Sequence, residues 1–202
     1  MAECGCEPTI TETAEQRRTL MIALGLNATM FAVEVTAGII AGSVGLIADS
    51  LDMLSDASAY AIGLVAIGRS RMFKARAATA SGVLLLLLAL GVLFDVVRRA
   101  ISGEPPEGSI MILVAAVALA VNAIVLRMLS RLRSQEVHIR ATWIFTRADV
   151  VANFAVILSG VAVLLTGYRA VDLAVGAGIG LYVLKEAIEI LREARKAKAS
   201  AS

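Results

Sequence analysis

Residues 44–68 read Val-Gly-Leu-Ile-Ala-Asp-Ser-Leu-Asp-Met-Leu-Ser-Asp-Ala-Ser-Ala-Tyr-Ala-Ile-Gly-Leu-Val-Ala-Ile-Gly, an apolar run that carries Asp49, Asp52 and Asp56. A helix of roughly 20 residues, rising about 1.5 Å per residue, crosses a hydrocarbon core of about 30 Å. Spacings of three and four place the three aspartates on one face of that helix. A carboxylate in hydrocarbon costs about 2.5–3.5 kcal/mol on insertion scales, so it is normally paired, protonated or holding a cation. Three of them within two turns mark a site.

The rest of the chain fits a membrane setting. It has 202 residues, is 58% hydrophobic and only 4% aromatic, with a mean hydropathy of +0.81. That excludes a disordered protein and argues against an ordinary soluble domain. The 16 glycines suit a bundle whose helices approach closely. Beside 44–68, apolar spans are expected at about 19–41, 77–97, 109–126, 142–166 and 171–190. The expected fold is all-α, a polytopic six-span bundle. The spans before and after the short turns near 42–43 and 167–170 are expected to be antiparallel neighbours.

Basic residues set the orientation. Arg17 and Arg18, then Arg69, Arg71, Lys74 and Arg76, then Arg127, Arg131, Arg133 and Arg140, and finally Arg192, Arg195, Lys196 and Lys198 all fall on one side. The other side holds Arg98, Arg99 and Arg169, the first two offset by Glu104 and Glu107. Both termini are therefore expected to be cytoplasmic and the protein a multi-pass protein of the inner (plasma) membrane. The expected division is a cytoplasmic segment 1–18 with Cys4-Gly5-Cys6, a six-span unit 19–191 and a short basic tail 192–202, too short for a folded domain. A cleaved signal peptide is not expected.

Depth brings two spans together. Counted from the inner edge, Asp56 lies roughly 20 Å in and Asp149, on the fifth span, roughly 14 Å in. Asp52 is one turn further out, and Asp49 approaches the outer surface. Carboxylates are hard ligands, and Asp52 and Asp56 at i, i+4 can grip one divalent cation from a single helix. Protons are the natural replacement when the ion leaves, the chemical basis of metal/proton antiport. Pairing with Arg147 is the bland alternative, but one arginine does not neutralise four acids. No nucleotide or nucleic-acid motif is present, and the spans hold no histidine cluster or credible nucleophile. Neither an enzyme nor an organic cofactor nor a nucleic-acid partner is expected; lipid, a metal ion and protons are.

Asn27-x-x-Met30-Phe31-x-x-Glu34, followed by Gly38, Ala41-Gly42-Ser43 and the aspartate stretch, resembles the cation diffusion facilitators, exporters of zinc, manganese and iron. The resemblance runs through all six spans. It implies a protomer that works as a homodimer by alternating access, and a metal site built from an acid or histidine pair at i, i+4 on each of spans two and five. It implies Asp52 and Asp56 as ligands on span two and Asp149 on span five. The fourth position falls on Phe145, which offers no donor. Asn27, Glu34 or water then complete the shell, and Asp49, Arg147 and Asn153 are further pathway or supporting candidates. A related pattern, Trp-x-Cys-Ser-Arg-Asn-Asp, is met at Trp143, Arg147 and Asp149 and departs at Phe145 and Ala148. The rival reading is a degenerate relative acting as a membrane metal sensor or partner subunit.

Cys4 and Cys6 form an auxiliary soft-metal candidate, since two thiolates one residue apart can share an ion. His138 is expected to be a solvated connector residue. Asp49 is expected to serve as an approach residue or as Arg147's ion-pair partner. Asn122, Asp95 and Asp172 are expected to serve as packing or interface residues, and Glu186 and Glu189 to face the cytoplasmic rim with Lys185 and Arg192.

Overall fold

The computed structural model describes residues 10–65, 70–131 and 137–199, with side chains along the fifth helix described from Asp149 onward. Six helices follow one another: α1 (Ile10–Ala41), α2 (Val44–Val65), α3 (Arg71–Ser102), α4 (Gly108–Arg131), α5 (Val137–Thr166) and α6 (Ala170–Ala199). The all-α six-helix bundle is the expected one. Several helices run past the apolar spans, because a helix continues until a capping residue stops it, not until hydrophobicity ends.

The stops are readable. Gly42, at φ +67°, and Gly167, at φ +68°, take the left-handed conformation that ends α1 and α5. The Ser70 hydroxyl accepts from the Phe73 amide at 3.3 Å and caps α3. The Gly103 amide returns to the Arg99 carbonyl at 2.9 Å to close α3.

Four stretches, Arg17–Ala41, Ala75–Ile101, Gly108–Leu129 and Asp149–Thr166, are long and apolar enough to cross a membrane. They present apolar side chains outward, Leu87, Phe94, Leu113 and Leu165 among them. Such a coat is costly in water and suited to lipid. The helices α2 and α6 carry more charge, and α2 avoids lipid by another route. It packs against α1, α3, α5 and α6, and from Val44 to Met53 every residue except Ile47 is buried. A helix enclosed on all sides can keep polar groups that a lipid-facing helix cannot.

The core centres on Val44, Leu46, Leu51, Leu85, Met111, Val156 and Val183. The most extensive pairings are α3 with α6, α1 with α2 and α4 with α5. The helices α5 and α6 do touch, as their short connection implies, but each packs more extensively with its other partner. Small residues explain the α4–α5 approach: a Cβ on Gly160 would lie 2.9 Å from Ile112 Cγ1 and 3.0 Å from Met111 Cβ. Gly160→Val should therefore force these helices apart and lower stability by about 1–3 kcal/mol. Thermal unfolding of the detergent-solubilised protein would check this, and an unchanged melting temperature would refute it.

Candidate functional site

The aspartates of α2 keep the one-face geometry their spacing requires, and that face meets acids from three other helices. The sites stack as three levels, each about one helical turn from the next.

At the first level, Asp49 on α2 meets Glu34 on α1. Both are fully buried, and neither receives a hydrogen bond from a donor group. Their carboxyls face each other closely enough for one charge to act on the other. At the second level, Asp52 meets Asp149 of α5 across the helix pair, again carboxyl to carboxyl. Both are almost wholly buried. Asn153, one turn along α5, spends its amide on the Asp149 main-chain carbonyl at 2.8 Å, which leaves its buried Oδ1 without a partner. At the third level, Asp56 accepts from the Tyr60 hydroxyl at 3.4 Å. Glu186 of α6 lies beside it, near enough for its charge to act on Asp56 and Asp149. The Glu186 carboxylate accepts from Ser55 at 3.2 Å and from Tyr182 at 3.1 Å.

Among the described residues, no lysine or arginine pairs with any of these six acids. The ion pairs described elsewhere join Asp95 to Arg98 and Arg99, and Lys185 to Glu189. Carboxyls held together in an interior of low dielectric are stable only with a proton or a cation between them. Hard oxygen donors suit a divalent ion, completed by water or amide oxygens. Among the described residues, no three acidic, histidine or cysteine side chains are gathered closely enough to hold one ion. The carboxylates come in pairs strung along α2, because successive members on one helix face are a turn, about 5.4 Å, apart.

Asp149 meets Asp52, while Asp56 stands one turn further along α2, so the three line one face without gathering at a single point. Among the described residues Asp49 faces Glu34, and its expected pairing with Arg147 falls on a side chain outside them. Asn27 is fully buried but donates to its own helix at the Ala23 carbonyl, 3.0 Å away, and is not hydrogen-bonded to the acids. Cys4 and Cys6 lie outside the described residues, as do the side chains of His138, Phe145 and Arg147. Glu186 was expected at the rim beside Glu189, and instead it faces inward. The signal was present, since Ile179, Val183 and Ala187 are the buried stripe of α6 and Tyr182 and Glu186 flank it at helical spacing. Asp172, expected to pack, accepts from the Ser43 hydroxyl at 2.6 Å and from the amides of Val44 and Gly45 at 2.8 and 3.0 Å.

Residues 20–197 match the family described as the cation efflux transmembrane domain. The chain is 31% identical over 179 residues to the metal cation efflux system protein CzcD of Cupriavidus metallidurans, covering 83% of this chain and 57% of that protein. It is 24% identical over 189 residues to the zinc transporter ZitB of Escherichia coli, covering 87% and 60%. It is 21% identical over 193 residues to a cadmium, cobalt and zinc/H(+)-K(+) antiporter of Bacillus velezensis, covering 88% and 61%. The chain thus spans about three-fifths of the length of these relatives.

Proposed function

The chain belongs to the cation efflux, or cation diffusion facilitator, family, and from that premise we propose that it is the membrane-spanning unit of a divalent metal exporter. The Asp52–Asp149 pair holds the ion, Asp56 joins as third ligand when the helices draw together on it, Asn153 supports Asp149, and water or a neighbouring oxygen completes the shell. Zinc is the leading substrate because the relatives' names point to it; manganese and iron are the other hard-site candidates. Protons occupy the carboxyl pairs when the metal leaves, which makes metal/proton antiport by alternating access the natural cycle. The Lys and Arg distribution supports cytoplasmic termini on either side of the 19–191 unit, in the inner membrane. A homodimer is the working assembly.

One observation carries this reading: the buried Asp52–Asp149 carboxyl pair between α2 and α5, with no described base to neutralise it. Such a pair is unfavourable without a positive charge, and a divalent cation supplies one. Binding to the folded state alone stabilises by about 2.7 kcal/mol at a hundred times Kd. Purified protein in detergent should therefore melt at a higher temperature with zinc than with a chelator, and Asp52→Asn should lose most of that shift. An equal shift in the variant would refute the assignment of the site. Metal binding without flux in proteoliposomes would favour the sensor reading instead.

A further inference from the structure

The mechanism above leaves Glu186 unused, although α6 holds it firmly. Two cavities flank the α3–α6 pair at the end where α2 stops and α6 continues. One, about 430 Å³, is lined by Thr79, Ile188, Leu191, Arg192, Arg195 and Lys198. The other, about 560 Å³, lies among α2, α3 and α6; its lining includes Ser55, Ser58, Ala75, Ser81, Glu193 and Ala197 and, among the described residues, no lysine or arginine. A cation is repelled by the first and accepted by the second. The second also leads somewhere. Ser55, one of its lining residues, is buried and donates its hydroxyl to Glu186 at 3.2 Å. Tyr182 holds the other carboxylate oxygen at 3.1 Å, so the side chain is fixed beside Asp56. Serine hydroxyls and small side chains leave room for a hydrated ion, and Glu186 is the first inward-held carboxylate such an ion meets.

We propose that this serine-lined cavity is the cytoplasmic approach for the metal, and that Glu186 receives the ion there and hands it to Asp56. The inference rests on the transport reading. A receiving carboxylate concentrates the ion at the mouth, an effect worth tenfold or more in clefts of one sign. Glu186→Gln keeps the shape and removes the charge, one of the two hydroxyls turning to accept from the new amide. In proteoliposomes it should raise the KM for zinc about tenfold, while its maximal rate stays well above that of Asp52→Asn. In a background with Cys4 and Cys6 replaced by serine, Ser58→Cys should react with a charged, water-soluble thiol reagent in inside-out vesicles. Leu87→Cys, on the apolar exterior, should not. A wild-type KM in Glu186→Gln, or an unreactive Ser58→Cys, overturns the approach route while leaving the metal site standing. Failure of the transport reading looks different: the wild-type protein itself would then carry no zinc flux.

Discussion

Asp149→Asn is expected to abolish zinc uptake by inside-out vesicles, with a loss of at least about a hundredfold, and yet to leave the metal-free protein no less stable. The two halves follow from one arrangement. Asp149 and Asp52 meet carboxyl to carboxyl in the interior, so each supplies charge to an ion and each repels the other when the ion is gone. An asparagine keeps the volume and removes the repulsion. Its loss of one ligand charge costs about 2.7 kcal/mol of ion affinity if the effect is a hundredfold. A residue held for structure behaves oppositely, losing stability along with activity. Melting in the presence of chelator therefore discriminates: a higher or equal melting temperature with no flux is the expected result. A variant that is both unstable and inactive would move Asp149 out of the ion site, and one with normal flux would remove it from the mechanism altogether. This pattern of function purchased against stability is usual where like charges are kept together for a purpose.

How much of this was legible in the sequence depends on whether the information was local. The six helices were, because bilayer-length hydropathy is a property of each segment. The approach of Asp149 to Asp52 was, because depths can be counted from the basic residues at the membrane edge. The approach of Asp49 to Glu34 was not legible because depth does not give azimuth. Whether it turns to α5 or to α1 depends on how α1 and α2 rotate against each other, and there Gly38 sits against Ile47, a Cβ at that position lying 2.8 Å from Ile47 Cγ1. Glu186 was misread because Lys185 and Glu189, which form an exposed ion pair at 3.7 Å, disguise an inward face within a charged run. Asp172 was undervalued because its hydroxyl and amide partners lie nearly 130 positions away. Nothing local in the chain announces a cap supplied from another helix.

That distant cap supports the second large expectation: Asp172→Ala should lower stability by about 3 kcal/mol or more, roughly 10 °C in melting temperature. Asp172 stands in the first turn of α6 and also serves the first turn of α2, so a single negative charge faces the positive ends of two helix dipoles. Removing it strands the Ser43 hydroxyl and the amides of Val44 and Gly45, all in buried residues, at about 1–3 kcal/mol for each unsatisfied donor. The surroundings cannot collapse to compensate. The Ala41 carbonyl already accepts from the Glu107 amide at 2.8 Å, and the Gly42 carbonyl from Arg99 at 2.7 Å, so the turn is held from three sides. Asp172→Asn keeps one acceptor oxygen and should fall between the alanine variant and the wild type. Flux should fall less than in Asp149→Asn, because the carboxyl pairs remain and only the register of α2 against α6 is loosened. A melting temperature within a degree or two of wild type for Asp172→Ala would show that water, not Asp172, satisfies the start of α2, and that the outer turn is not the anchor from which α2 presents its acids.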